Sequence, residues 1–150
     1  MILSSTRAST WIFFDSAAIL TLVLVVIHQS LIASSVYFLT ETINGYQQGG
    51  EIGVYLILYF LSMILPFIPG ALSFVAAQRW INTVHRKFTL AMASAVYGNL
   101  NEYRSTENKT AFESAISRNS FDVISSYVLL SHDFLSLALN SILSLAVIGF

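Results

Sequence analysis

Two long stretches of this chain carry no formal charge, Ser16–Thr40 (25 residues) and Ile52–Gln78 (27 residues). A helix crossing a bilayer needs about 20 apolar residues at roughly 1.5 Å rise per residue, and each stretch is long enough. A third run, Phe134–Phe150, adds 17 apolar-rich residues. In hydrocarbon every backbone N–H and C=O must be paired within the protein, so these runs are expected to be helices. The expected fold class is therefore an all-α membrane protein.

Charged residues make up 10% of the chain and hydrophobic residues 55%, whereas a soluble domain carries about 25% charged residues. The net charge of −1 offers no basic surface for nucleic acid. There is no cysteine, hence no disulfide framework, thiolate metal site or thiol nucleophile. Ala17–Ile27 has the length of a signal-peptide core, and Ala33–Ser35 are small enough for a cleavage site. The single Arg7, the presence of Asp15 and the continuation of the apolar run through Val36–Leu39 favour an uncleaved span.

All Lys and Arg residues lie at Arg7 or between Arg79 and Arg118, and Glu41–Glu51 holds none. The bias of basic residues toward the cytoplasmic side then places the N-terminus and the segment 79–133 inside and the loop 41–51 outside. The loop glycines Gly45, Gly49 and Gly50 suit a tight turn between antiparallel helices. Trp11, Tyr46 and Tyr55 suit the interfacial aromatic belts.

Residues 79–133 are far more than a connection needs. The segment contains no Pro and one Gly, Gly98. Trp80, Val84, Phe88, Ala91, Ala95 and Gly98 recur at helical spacing, as do Ile116, Val123, Tyr127 and Leu130. Between them, 101–110 is polar and rich in helix breakers. Spans two and three are expected to run on as two helices meeting at that polar tip; a separate small helical domain is the alternative. The expected division is span one over about 12–40, an outside loop over 41–51, and span two over about 52–78, extended as a helix to about 100. A tip over about 101–113 follows, then a helix over about 114–133 leading into span three, 134–150.

Two spans with a short outer loop, a long helical hairpin and a third span resemble the N-terminal half of the membrane domain of type I ABC exporters. The local sequence is similar too: Asn108-Lys109-Thr110 is followed by Ile116-Ser117-Arg118-Asn119-Ser120-Phe121-Asp122. The family's usual Gly after this Asn-Lys-Thr is replaced by Ala111-Phe112, and the later residues fall two positions late. The resemblance implies a fragment of a transporter that continues with three more spans and a nucleotide-binding domain. It implies ATP and Mg in that missing domain, and a second transmembrane half as dimer partner. It also implies a bacterial inner-membrane location. Arg104, Ser105, Thr106, Glu107, Asn108 and Lys109 would form the coupling tip that docks on the nucleotide-binding domain, with Phe112 as its apolar anchor. None of the seven glycines precedes Lys, so no phosphate-cradling Walker loop lies in this chain. The alternative reading is a standalone three-span protein acting by oligomerisation, such as a holin-like, adaptor or signalling subunit.

Polar residues inside the spans mark the candidate pathway. Thr21, His28, Ser35 and Thr42 recur every seven residues and share a helix face. His28, Gln29 and Ser35 are candidates to line a translocation path; interhelical hydrogen bonding is the alternative role. Pro66 and Pro69 remove the backbone bonds to the carbonyls of Ser62 and Leu65, so span two is expected to kink or unwind there. His85-Arg86-Lys87 reads as a cluster for anionic headgroups. His132 and Asp133 are adjacent, so they are expected on different helix faces and not as a dyad. No His-x-x-x-His pair suggests zinc.

Overall fold

The computed structural model describes residues 15–50, 52–98, 110, 114 and 119–148. Among them there is no strand, and four helices follow in order: α1 (Ser16–Gln47), α2 (Gly53–Ile64), α3 (Phe67–Gly98) and α4 (Ser120–Ile148). Three stretches, Ser16–Gln47, Gly53–Ser94 and Ser120–Val147, are long and apolar enough to cross a membrane.

α1 continues past Thr40 to Gln47, so part of the expected outside loop 41–51 is helical. The stop is set by glycine. Gly49 adopts φ +68°, the left-handed conformation that costs an L-side chain about 1–2 kcal/mol. The Gly50 N–H then reaches the Gly45 carbonyl at 2.9 Å and the Gly49 N–H the Tyr46 carbonyl at 3.3 Å, closing the paired bonds of a Schellman cap.

Between α2 and α3 the helix is interrupted at Leu65 and Pro66. Pro69 has no N–H to offer the Leu65 carbonyl, which takes the Ile68 N–H at 3.3 Å instead. Beyond this point α3 is uninterrupted for 32 residues, about 48 Å at the usual rise. α4 is likewise continuous for 29 residues.

Contacts divide the chain into two compact units, 1–19 with 76–131, and 20–75 with 132–150. Among the described residues, the basic side chains Arg79, Arg86 and Lys87 belong to the first, while Glu41 and Asp133 are the acidic residues of the second.

In the first unit Ala18, Trp80, Ile81, Val84, Ile124 and Val128 form an apolar core, with Phe88, Phe121 and Leu129 packed against it. The α3 face expected from spacing is correct at Trp80 and Val84, whereas Ala91 is exposed. The α4 face is not the expected one. Val123, Tyr127 and Leu130 are exposed, while Ile124 and Val128 point inward. Asp15 sits at the N-terminus of α1, where its Oδ1 accepts the Ser16 N–H at 2.6 Å, and its Oδ2 pairs with Lys87 Nζ at 3.3 Å. These bonds, the Ser16 N–H first and Lys87 second, hold the Asp15 carboxyl below its ordinary pKa. The expected headgroup cluster is thus partly engaged within the protein. Lys87 is ion-paired, His85 stands edge-on to Phe121 with ring centroids 5.3 Å apart, and Arg86 is exposed.

The second unit buries Val25 and Ala33, but also Thr21, Gln29, Ser62 and Ser73. The residue α2 buries is Ser62, while Val54, Ile57, Phe60 and Ile64 are exposed. From α4, Phe134, Leu137, Ile142 and Leu145 are exposed as well. Continuous apolar surface of this extent is foreign to water and suits lipid.

Candidate functional site

The polar stripe of α1 turns inward: Thr21 is buried, and His28, Ser35 and Thr42 are half-buried. Ser35 and Thr42 satisfy their hydroxyls on α1 itself, donating to the carbonyls of Ile32 (2.7 Å) and Phe38 (2.7 Å). His28 reaches outside its helix. Its Nδ1 lies 2.8 Å from the Pro66 carbonyl, which also accepts the Gly70 N–H at 3.0 Å. A carbonyl only accepts, so Nδ1 carries the hydrogen; in the neutral ring Nε2 then presents a lone pair.

Gly70 makes this contact possible. A Cβ placed there would lie 2.9 Å from Cε1 and 3.0 Å from Nδ1 of His28, inside any normal contact distance. The sequence Pro66-Phe67-Ile68-Pro69-Gly70 thus breaks the helix and clears a flat backbone surface for the ring. Pro66 and Pro69 are both buried at this break.

Beside the His28–Pro66 contact is a cavity of about 340 Å³. His28, Ile32 and Ser35 line it from α1, Ser62 and Met63 from α2, and Pro66 and Phe67 from the break onward. Three of the expected pathway residues, His28, Ser35 and Pro66, therefore share one cavity. Pro69 and Gln29 do not line it.

Gln29 is buried and points elsewhere, its Nε2 donating to Ser136 Oγ of α4. Its Oε1 is buried without a partner among the described residues. Adjacent residues on α1 thus serve different neighbours, His28 the helix break and Gln29 α4.

A second polar chain joins α3 to α4. Ser73 Oγ donates to the Gly70 carbonyl at 2.8 Å and lies 3.4 Å from His132 Nε2, while His132 Nδ1 lies 3.1 Å from Asp133 Oδ1. The expectation that His132 and Asp133 stand apart is corrected: the ring nitrogen nearest the backbone reaches the neighbouring carboxylate despite the diverging helix positions. The set is not a hydrolytic triad. Ser73 is 3% exposed, so its oxygen is closed to a substrate, and its hydrogen is engaged by Gly70.

Arg104, Ser105, Thr106, Glu107, Asn108, Lys109 and Phe112 lie outside the described residues. Ser62, Gly70, Ser73 and Ser136 escaped the sequence reading as site residues. Gly70 directly follows the Pro pair, and Ser62 stands four residues before Pro66. Those two carried a local signal; Ser73 and Ser136 carried none.

Compared with protein-family models, with curated proteins and with solved structures, the chain gives no match.

Proposed function

We propose that this chain is the transmembrane part of an ATP-driven exporter, coupled through its helical hairpin to a nucleotide-binding domain outside the chain. The observation that carries the reading is α3. It runs unbroken from Phe67 to Gly98, and its middle is locked by Ile81 and Val84 into a core shared with α1 and α4. A continuous helix clamped in this way resists bending and transmits displacement along its axis, as coupling between nucleotide hydrolysis and a membrane site requires. In this reading Arg104 to Lys109 and Phe112 dock on the nucleotide-binding domain, with ATP and Mg held there. The N-terminus is cytoplasmic, the membrane is a bacterial inner membrane, and a second transmembrane half completes the pathway beside His28.

The exposed apolar row Val123, Tyr127 and Leu130 favours a second reading, a standalone three-span protein that self-associates through α4.

The test is to extract the tagged chain from its native membrane in mild detergent and measure mass and ATP hydrolysis. The exporter reading expects an ATP-hydrolysing species well above 16.6 kDa, and Glu107→Cys cross-linking to its nucleotide-binding domain. Self-association without ATP hydrolysis or such a cross-link overturns it in favour of the second reading.

A further inference from the structure

The hydrogen-bonding character of the His28 cavity is one-sided. Each polar side chain lining it has its hydrogen engaged elsewhere. Ser35 Oγ donates to Ile32 and Ser62 Oγ donates to Tyr59, each at 2.7 Å. His28 Nδ1–H is directed at Pro66, whose carbonyl is doubly engaged by that hydrogen and by the Gly70 N–H. With the ring neutral, the acceptors that remain are two hydroxyl lone-pair sets and His28 Nε2. The imidazole nitrogen is the strongest acceptor of the three, and its direction is set by the Pro66 bond on one side and by the Gly70 backbone beneath the ring.

The rest of the wall is apolar, from Ile32, Met63 and Phe67. No acidic residue is among the described residues that line the cavity, so a cation there would lack a counter-charge in a low-dielectric setting. With the ring neutral, an anion would meet only lone pairs. The volume of about 340 Å³ lies at the lower end of small-molecule sites, which run from about 300 Å³ upward.

We propose that this cavity binds a neutral apolar alcohol, its hydroxyl donating to His28 Nε2 and its carbon chain lying along Ile32, Met63 and Phe67. Calling that alcohol the cargo rests on the transport reading above; the binding itself does not.

The experiment uses the whole chain in lipid nanodiscs with two photoreactive probes, a diazirine-bearing decanol and its methyl ether. The ether enters the bilayer at least as readily but has no hydrogen to donate. Peptides containing Ile32 and Met63 are expected to be labelled several-fold more by the alcohol, with unlabelled decanol competing. His28→Phe should lower the alcohol's labelling to that of the ether. Should His28→Phe fail to fold, ¹⁵N resonances of the wild-type histidine give the same answer: Nε2 should shift on addition of decanol and not of its ether. Equal labelling by alcohol and ether, or stronger labelling by a decylammonium or decanoate probe, overturns the proposal. The two readings fail separately. Alcohol-specific labelling without an ATP-hydrolysing species leaves the site standing and removes the transport reading. An ATP-hydrolysing species with equal labelling removes only the alcohol site.

Discussion

The two units of the molecule differ in how much polar side chain they bury. In the first, apolar side chains turn inward: Ile81 and Val128 are fully buried, and charges such as Asp15 and Lys87 remain at the periphery. In the second, Thr21, Gln29, Ser62 and Ser73 are buried together with Val25 and Ala33, while many leucines, isoleucines and phenylalanines face out. Where the surroundings are water, removing apolar surface from it drives packing. Where they are lipid, apolar contact gains nothing over solvent, and hydrogen bonds such as His28–Pro66 and Gln29–Ser136 hold the helices in place. The same helices α1, α3 and α4 contribute to both units, so the contrast reflects side-chain placement and not separate folds.

The contrast is broken most directly by truncation. Ile81→Ala opens a cavity in a fully buried position and should destabilise by about 2–5 kcal/mol. Ile57→Ala, at a residue 62% exposed, should change stability by less than about 0.5 kcal/mol. Unfolding of the reconstituted protein in denaturing detergent measures both. Equal losses would mean that the second unit packs by apolar burial after all.

Gly70→Ala should come next. Its Cβ would strike the His28 ring, so either the imidazole leaves the Pro66 carbonyl or α3 shifts. Overpacking of this kind costs about 1–3 kcal/mol, and the histidine Nδ1 resonance should report the lost bond. An unchanged resonance would show that the ring does not depend on the glycine.

The Gln29–Ser136 contact should be smaller. A double-mutant cycle with Gln29→Leu and Ser136→Ala is expected to give a coupling of about 0.6 kcal/mol, and no more than about 1.7, the range for hydrogen bonds between membrane helices. Zero coupling would remove polar contact as the cement of the second unit at this position.

The smallest effect concerns Asp15. The folded protein favours its carboxylate, so its contribution is fully present above the ordinary aspartate value of 3.8 and is lost as pH falls through the lower native value. Stability measured from pH 6 downward should fall less steeply in Asp15→Asn, which retains a capping side chain but cannot ionise. Identical acid limbs would show that the Lys87 pair is without effect.

How far the sequence could be read differs between elements. On α3 the spacing of Trp80, Val84 and Phe88 marked the packed face correctly. On α4 it did not, because the run from Val123 to Leu130 has apolar residues on two faces. Periodicity finds both, and only the neighbouring helices choose Ile124 and Val128 over Val123 and Tyr127. The break in span two was legible, since proline lacks an N–H wherever it stands. His28, Ser35 and Pro66 were legible as a set by polarity and position. The partners Ser136 of Gln29 and Ser73 of His132 were not, being separated by 107 and 59 positions along the chain.

The sequence by itself determined that the chain is helical, that three stretches can cross a membrane, where span two breaks and where glycine allows the turn at Gly49. Each of these follows from local covalent chemistry: missing charges, missing N–H groups, a missing Cβ. Only the tertiary structure decided which face of α4 is inside, that His28 and Gln29 serve different helices, and that His28, Ser35, Ser62 and Pro66 line one cavity. Those are properties of the space between helices, and a side chain's neighbours there are set by packing and not by its place in the chain.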